Sequence, residues 1–167
     1  GFTPGKSAAN ALVTITRITT PLGPTIAGVS DGAICLLEFT DRRMLETQLL
    51  QLQKYFKTNL VPGTDPLFIE LDKQLQAYFS GKLHKFDIPL SYPGSTFQQR
   101  VWEELLHIPY GQTRSYKEQA IALGNVKAIR AVATANGHNR IAILIPCHRV
   151  IGANGEPVGY GGGIWRK

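Results

Sequence analysis

The pattern of the chain changes at Ser91-Tyr92-Pro93-Gly94, and that change constrains the fold more than any other feature. Before it, strand and helix signals mix. Leu12-Val13-Thr14-Ile15-Thr16 alternates with period two, and residues 25–30 and 33–40 read as two further strands joined at Asp31-Gly32, a strong hairpin turn. Three short strands in succession predict a three-stranded antiparallel sheet. Asp41 is placed to cap a helix whose apolar face is Leu45, Leu49, Leu52 and Phe56. Residues 61–64 read as a loop. Asp65-Pro66 opens a second helix, with Phe68, Leu71, Leu75 and Tyr78/Phe79 along one side and Ser80-Gly81 at its end.

Beyond Gly94 the strand signals stop and helices take over. Phe97, Val101, Leu105 and Ile108 line one helix face, with Trp102 beside it, and Pro109-Tyr110-Gly111 closes that helix. Ser115-Tyr116-Lys117-Glu118 is a capping box, so another helix starts at Ser115. Gly124 ends it and Asn125 caps a helix over residues 126–136. Two short helices around a tight glycine turn make a helix-turn-helix. The chain is thus α+β, with a lead-in over 1–9, an N-terminal α/β domain over 10–91 and a C-terminal helical domain over 92–167.

The second of these helices carries Ala128, Ala131 and Ala135 on one face, with Lys127 and Arg130 alongside. A face without bulk permits close approach. It suits the DNA minor groove, or close packing against another helix, and both readings stand. Charge leans one way. Residues 92–167 hold nine Lys/Arg against four Asp/Glu, whereas residues 1–91 hold nine against eight. A basic, helix-rich half fits a polyanionic partner, nucleic acid first, or a basic face kept for solubility.

The basic half also carries the reactive chemistry. An apolar, β-like run, Ile141-Ala142-Ile143-Leu144-Ile145, leads into Pro146-Cys147-His148-Arg149-Val150. A thiolate is a competent nucleophile, His148 or a water it orients can accept the proton, and Arg149 adds positive charge. The other cysteine, Cys35, lies in a strand-like run and reads as a packing residue. Two cysteines and four histidines show no CxxC or HxxxH spacing, so a structural zinc site is not expected. No signal peptide or long apolar span is present, which argues for a reducing interior and against a membrane.

The motif Ile143-Leu144-Ile145-Pro146-Cys147-His148-Arg149-Val150 resembles the active-site signature of the O6-alkylguanine-DNA alkyltransferases, of the bacterial Ada C-terminal or Ogt-like type. The resemblance runs back through Val101-Trp102, Ile108-Pro109-Tyr110-Gly111, Ser115-Tyr116, Gly124-Asn125 and Arg130-Ala131-Val132, and on to Gly159-Tyr160-Gly161-Gly162-Gly163. It implies a ribonuclease H-like N-terminal domain and a winged-helix-like helix-turn-helix with an active-site loop. It implies double-stranded DNA carrying O6-alkylguanine as partner, no cofactor, and a monomer acting in the cytoplasm, or in a nucleus if eukaryotic. By the same resemblance Cys147 accepts the alkyl group irreversibly and His148 activates it through water. Tyr116 donates to guanine N3, and Asn139 is the hinge between the helix-turn-helix and the loop. Arg130 is the finger that replaces the flipped nucleotide, among DNA contacts from Tyr116, Lys117, Asn125, Ala128 and Ala131. Val150, Tyr160 and Gly162 line the base pocket.

Two departures accompany the resemblance. The family pairs its histidine with a buried glutamate some residues past the glycine-rich segment. Here the sequence ends at Lys167 and Glu156 comes too early, so either the sequence is truncated as given or His148 lacks its orienting carboxylate, and in the second case a slower reaction is expected. At the other end, Gly1-Phe2-Thr3-Pro4-Gly5-Lys6 resembles the close of an AraC-type DNA-binding domain, as in a larger fused response protein. Two other functions fit parts of the sequence. A non-catalytic alkyltransferase-like lesion binder would replace the acceptor cysteine, and this chain keeps it. A Cys-His hydrolase normally has its pair far apart in sequence, and here they are adjacent.

Overall fold

A computed structural model describes residues 12–152. The chain forms two compact units, one ending at Pro93 and the other beginning at Gly94.

In the first unit, β1 (Val13–Thr20), β2 (Gly23–Ser30) and β3 (Ala33–Phe39) form an antiparallel meander. Asp31 and Gly32 both take positive φ, 50° and 75°, as a tight hairpin between right-twisted strands requires. The sheet is not three-stranded, however. A short strand β4 (Leu60–Pro62), expected as loop, pairs in parallel with Val13–Ile15 and gives a mixed sheet in the order β3-β2-β1-β4. Three residues including a proline carry no strand pattern of their own. The partner across the sheet, not the local sequence, makes this strand. The outer edge of β3 is covered: Ile34 donates to the Pro89 carbonyl at 2.9 Å and accepts from Ser91 N at 2.8 Å. That cover protects the start of an edge strand all seven of whose residues are buried.

Helix α1 (Leu45–Phe56) starts three residues later than Asp41 predicts, behind Met44 and without a side-chain cap. Arg42 is drawn back onto the buried Glu38 carboxylate, which also accepts from Phe39 N and Gln48 Nε2. That network holds residues 40–44 in turns and delays the helix. Leu52 and Phe56 then close a core with Val13, Cys35 and Leu36. Helix α2 (Pro66–Phe79) begins as expected. Asp65 accepts from Leu67 N at 2.8 Å and Pro66 occupies the first position.

In the second unit, α3 (Thr96–Leu106) opens with a complete capping box between Ser95 and Gln98. Its Trp102 is fully buried and donates from Nε1 to the Ala135 carbonyl at 2.9 Å. Gly94 lies against that indole, and a Cβ there would come within 2.9 Å of the ring and 2.7 Å of Gln98 Oε1. The strand signals do not stop entirely. β5 (Arg114–Ser115) and β6 (Val150–Ile151) make a two-residue parallel ladder, too short to leave a sequence pattern. Helix α4 (Tyr116–Ala122) starts at the predicted Ser115–Glu118 capping box. After Gly124, at φ 81°, Asn125 accepts from Lys127 N. The expected single helix from 126 is instead a 3₁₀ turn, Val126–Ala128, followed by α5 (Ile129–Gly137).

Candidate active site

The residues before Cys147 are not a strand. Residues 141–145 form a compact buried turn, in which Ile145 N donates to the Ile141 carbonyl and Leu144 N to that of Ala142. Ile143 sits at φ 72°, a conformation unfavourable for a β-branched residue and held only by its surroundings. A short apolar run has no period by which a strand and a buried turn can be told apart. Five consecutive buried residues need partners for their backbone, and Asn139 supplies several.

Asn139 is 2% exposed and makes a local hub. Its Oδ1 accepts from Ile141 N at 3.0 Å. Its Nδ2 donates to the Ile145 carbonyl at 3.0 Å, to that of Ile141 at 3.3 Å and to Cys147 Sγ at 3.4 Å. The amide therefore shapes the turn and aims an N–H at the sulfur. Such a bond strengthens as negative charge gathers on the acceptor. Cys147 is half-buried, at the head of a 3₁₀ turn that also carries half-buried His148 and Arg149. Arg149 Nη1 donates to the Ile108 carbonyl at 2.6 Å, and its guanidinium lies 5.9 Å from the Tyr110 ring centroid. Arg149 thus ties this turn to the segment that follows α3.

Tyr116 is the first residue of α4 and is half-buried. The β5–β6 ladder pairs Ser115, the residue before it, with Ile151, four residues past Cys147. Burial raises the Tyr116 phenol above its ordinary pKa, and the charge of Cys147 raises it further. Both effects keep the hydroxyl protonated, as a donor. The advantage of wild type over Tyr116→Phe in reaction rate should therefore persist through and above the ordinary tyrosine pKa. A rate ratio that collapses around that pH would show a phenol titrating normally.

On the helix-turn-helix, Lys127, Arg130, Ala131 and Thr134 form one exposed stripe at helical spacing, and Lys117 and Asn125 are exposed as well. Ala128 is half-buried, but Ala135 is core, 3% exposed beneath Trp102. The predicted alanine face is therefore divided, and its C-terminal third packs inward. Val150 is wholly buried in β6. Tyr160, Gly162 and Glu156 lie outside the described residues. Among the described residues no three His, Cys, Asp or Glu side chains come together as a metal site, and no helix is long and apolar enough to cross a membrane.

The sequence reading missed one pair. Gln119 and Asn136 are buried between α4 and α5 and exchange two amide bonds, at 2.9 and 2.8 Å. A buried position for two polar residues in an alanine-rich stretch gives no signal in a single sequence.

The profile for the 6-O-methylguanine DNA methyltransferase DNA-binding domain matches residues 96–167. A methylated-DNA–protein-cysteine methyltransferase of Mycobacterium tuberculosis is 50% identical over 151 residues, 90% of this chain and 85% of the relative. One from Methanosarcina barkeri is 41% identical over 150 residues, 88% and 87% of the two chains. Among solved structures, the M. tuberculosis OGT in complex with DNA superposes with a TM-score of 0.78 at 44% identity, over 92% of this chain and 87% of that one. With the profile covering the half that holds Cys147 and the relatives covering most of the chain, the protein belongs to the methylated-DNA–protein-cysteine methyltransferase family.

Proposed function

We infer that this chain repairs DNA by transferring an alkyl group from guanine O6 to Cys147 Sγ. The observation that carries the assignment of residues is the Asn139 Nδ2–Sγ contact beside a phenol that stays protonated. The thiol proton leaves toward a water held by His148. The sulfur attacks the alkyl carbon, the S–C bond forms, and the C–O6 bond breaks with its electron pair passing to the guanine. Tyr116 donates a proton to N3 of that leaving base, general-acid help that lowers the cost of expelling an anion. The product is guanine and a thioether, with no cofactor consumed. The acceptor is spent after one event, so guanine regenerated should equal protein added, one for one. Continued turnover past equivalence would contradict the assignment.

A thiol on a protein turn cannot reach O6 in line within a stacked duplex, so the target nucleotide must be flipped. The exposed stripe of Lys127, Arg130, Ala131 and Thr134 suits a minor groove, with Lys117, Asn125 and Ala128 beside it and Arg130 filling the vacated stack. Val150, Tyr160 and Gly162 are read as the base pocket. The finer fold assignments, a ribonuclease H-like first unit and a winged-helix-like second, accompany this reading. A monomer suffices, since every group named lies on one chain. Arg130→Ala should slow repair in duplex roughly tenfold or more, because it forfeits part of a flipping cost of a few kcal/mol. Reaction with the free alkylated base should be unaffected. Equal slowing of both would remove Arg130 from the flipping step.

A further inference from the structure

We propose that the buried Gln119–Asn136 amide pair is a positioning device that sets the axial register of α4 on α5, and so the placement of Tyr116 relative to Cys147. The proposal rests on the reading of Cys147 as acceptor and Tyr116 as proton donor.

Gln119 lies one turn after Tyr116, the first residue of α4, and is 0% exposed. Asn136 lies one turn before Asn139 and is 6% exposed. Gln119 Nε2 donates to Asn136 Oδ1 at 2.9 Å, and Asn136 Nδ2 donates back to Gln119 Oε1 at 2.8 Å. Asn139 N donates to the Asn136 carbonyl at 3.2 Å, so the pair and the hub share a backbone turn. Asn139 in turn donates to Cys147 Sγ. The path from donor to nucleophile is therefore one turn of α4, one amide pair, the closing turn beyond the end of α5 and one side chain.

The choice of amides is informative. Two apolar side chains of this size would fill the same space and would tolerate sliding of one helix along the other. A reciprocal amide pair closes both bonds at one offset only, and a slip leaves buried polar atoms unpaired. A buried polar pair that selects register over raw stability is a recognised use of such groups. Here the register matters because a displacement of about 1 Å between reacting groups can slow a reaction on the order of 100-fold.

The test compares wild type, the Gln119→Leu/Asn136→Leu double variant and the Gln119→Asn/Asn136→Gln exchange, each with and without Tyr116→Phe. The probe is an O6-methylguanine duplex. The readouts are duplex affinity and the rate of Cys147 methylation at saturating duplex. The double-leucine variant should keep its duplex affinity and lose about 10- to 100-fold in the saturating rate. Most of that loss should vanish in the Tyr116→Phe background, because the pair acts through the phenol. The exchange, which restores two reciprocal bonds, should recover the rate. A merely structural pair would lower stability and leave the saturating rate of the folded fraction unchanged, or would slow both backgrounds equally, and either result overturns the proposal. Should the double-leucine variant fail to fold, Gln119→Asn takes its place. It shortens the joint reach by one methylene and keeps the amide, and a full rate in that variant overturns the proposal. A wild-type chain with no adduct on Cys147, or Tyr116→Phe at full rate, overturns the underlying reading and the clamp with it. Clamp variants at full rate with both controls positive overturn the clamp alone.

Discussion

Cys147→Ala is expected to take up no alkyl group from DNA while keeping its fold and its affinity for duplex. The separation follows from the contacts. The sulfur is one of three acceptors for Asn139 Nδ2, and the bonds to the Ile145 and Ile141 carbonyls remain when it is removed. The turn at 141–145 keeps its own backbone bonds. A half-buried Cys→Ala change at such a site should alter stability by no more than about 1 kcal/mol. The exposed stripe on α5 is untouched, so DNA binding should persist. Circular dichroism, duplex affinity and mass after incubation with alkylated duplex give the three readings. Alkyl uptake by the variant at the wild-type rate would move the acceptor elsewhere, and Cys35 is a poor candidate at 1% exposed in the sheet core.

Asn139→Ala is expected to damage both chemistry and fold. The amide donates to Sγ and also satisfies the backbone of a buried turn at Ile141 and Ile145. Truncation leaves a buried N–H and buried carbonyls without that partner, a cost of about 2–4 kcal/mol. Loss of the N–H aimed at sulfur, with loosening of the turn, should lower the methylation rate on the order of 100-fold, comparable to removing one preorganised donor from an active site. Asn139→Asp sharpens the expectation: a carboxylate buried against the Ile141 and Ile145 carbonyls and Cys147 Sγ repels all three acceptors, so it should lose stability and rate together. Denaturant unfolding and single-turnover kinetics measure the two separately. A folded Asn139→Ala protein that methylates at full rate would confine Asn139 to a structural part.

What the sequence made legible tracks how local each signal is. Asp31-Gly32, Asp65-Pro66 and Ser115–Glu118 act through side chains and dihedrals within a few residues, and each appears where the pattern puts it. β4 escaped because three residues with a proline become a strand only through a distant partner, β1. The start of α1 was misplaced because Glu38, buried in the preceding strand, captures Arg42 and delays the helix. The β5–β6 ladder is two residues long on each side, below any periodicity.

At the site the same distinction holds. Cys147 and His148 stand out as residue types, and their setting does not. The apolar run before them reads as β-like, and only the Asn139 hub and the positive φ of Ile143 fix it as a turn. The alanine face of α5 was half legible. The period places Ala131 and Ala135 on neighbouring positions, but burial of Ala135 depends on Trp102 reaching its carbonyl from α3. The Gln119–Asn136 pair was not legible at all, since its meaning lies in two side chains seventeen residues apart meeting in a closed space.

The central claim is tested most directly by peptide mass analysis of the wild-type chain after incubation with a duplex bearing one O6-methylguanine. The account predicts a single added methyl, on the peptide containing Cys147, appearing as guanine is regenerated in equal amount. Tight duplex binding with Cys147 unmodified, or a methyl found on any other residue, would contradict it.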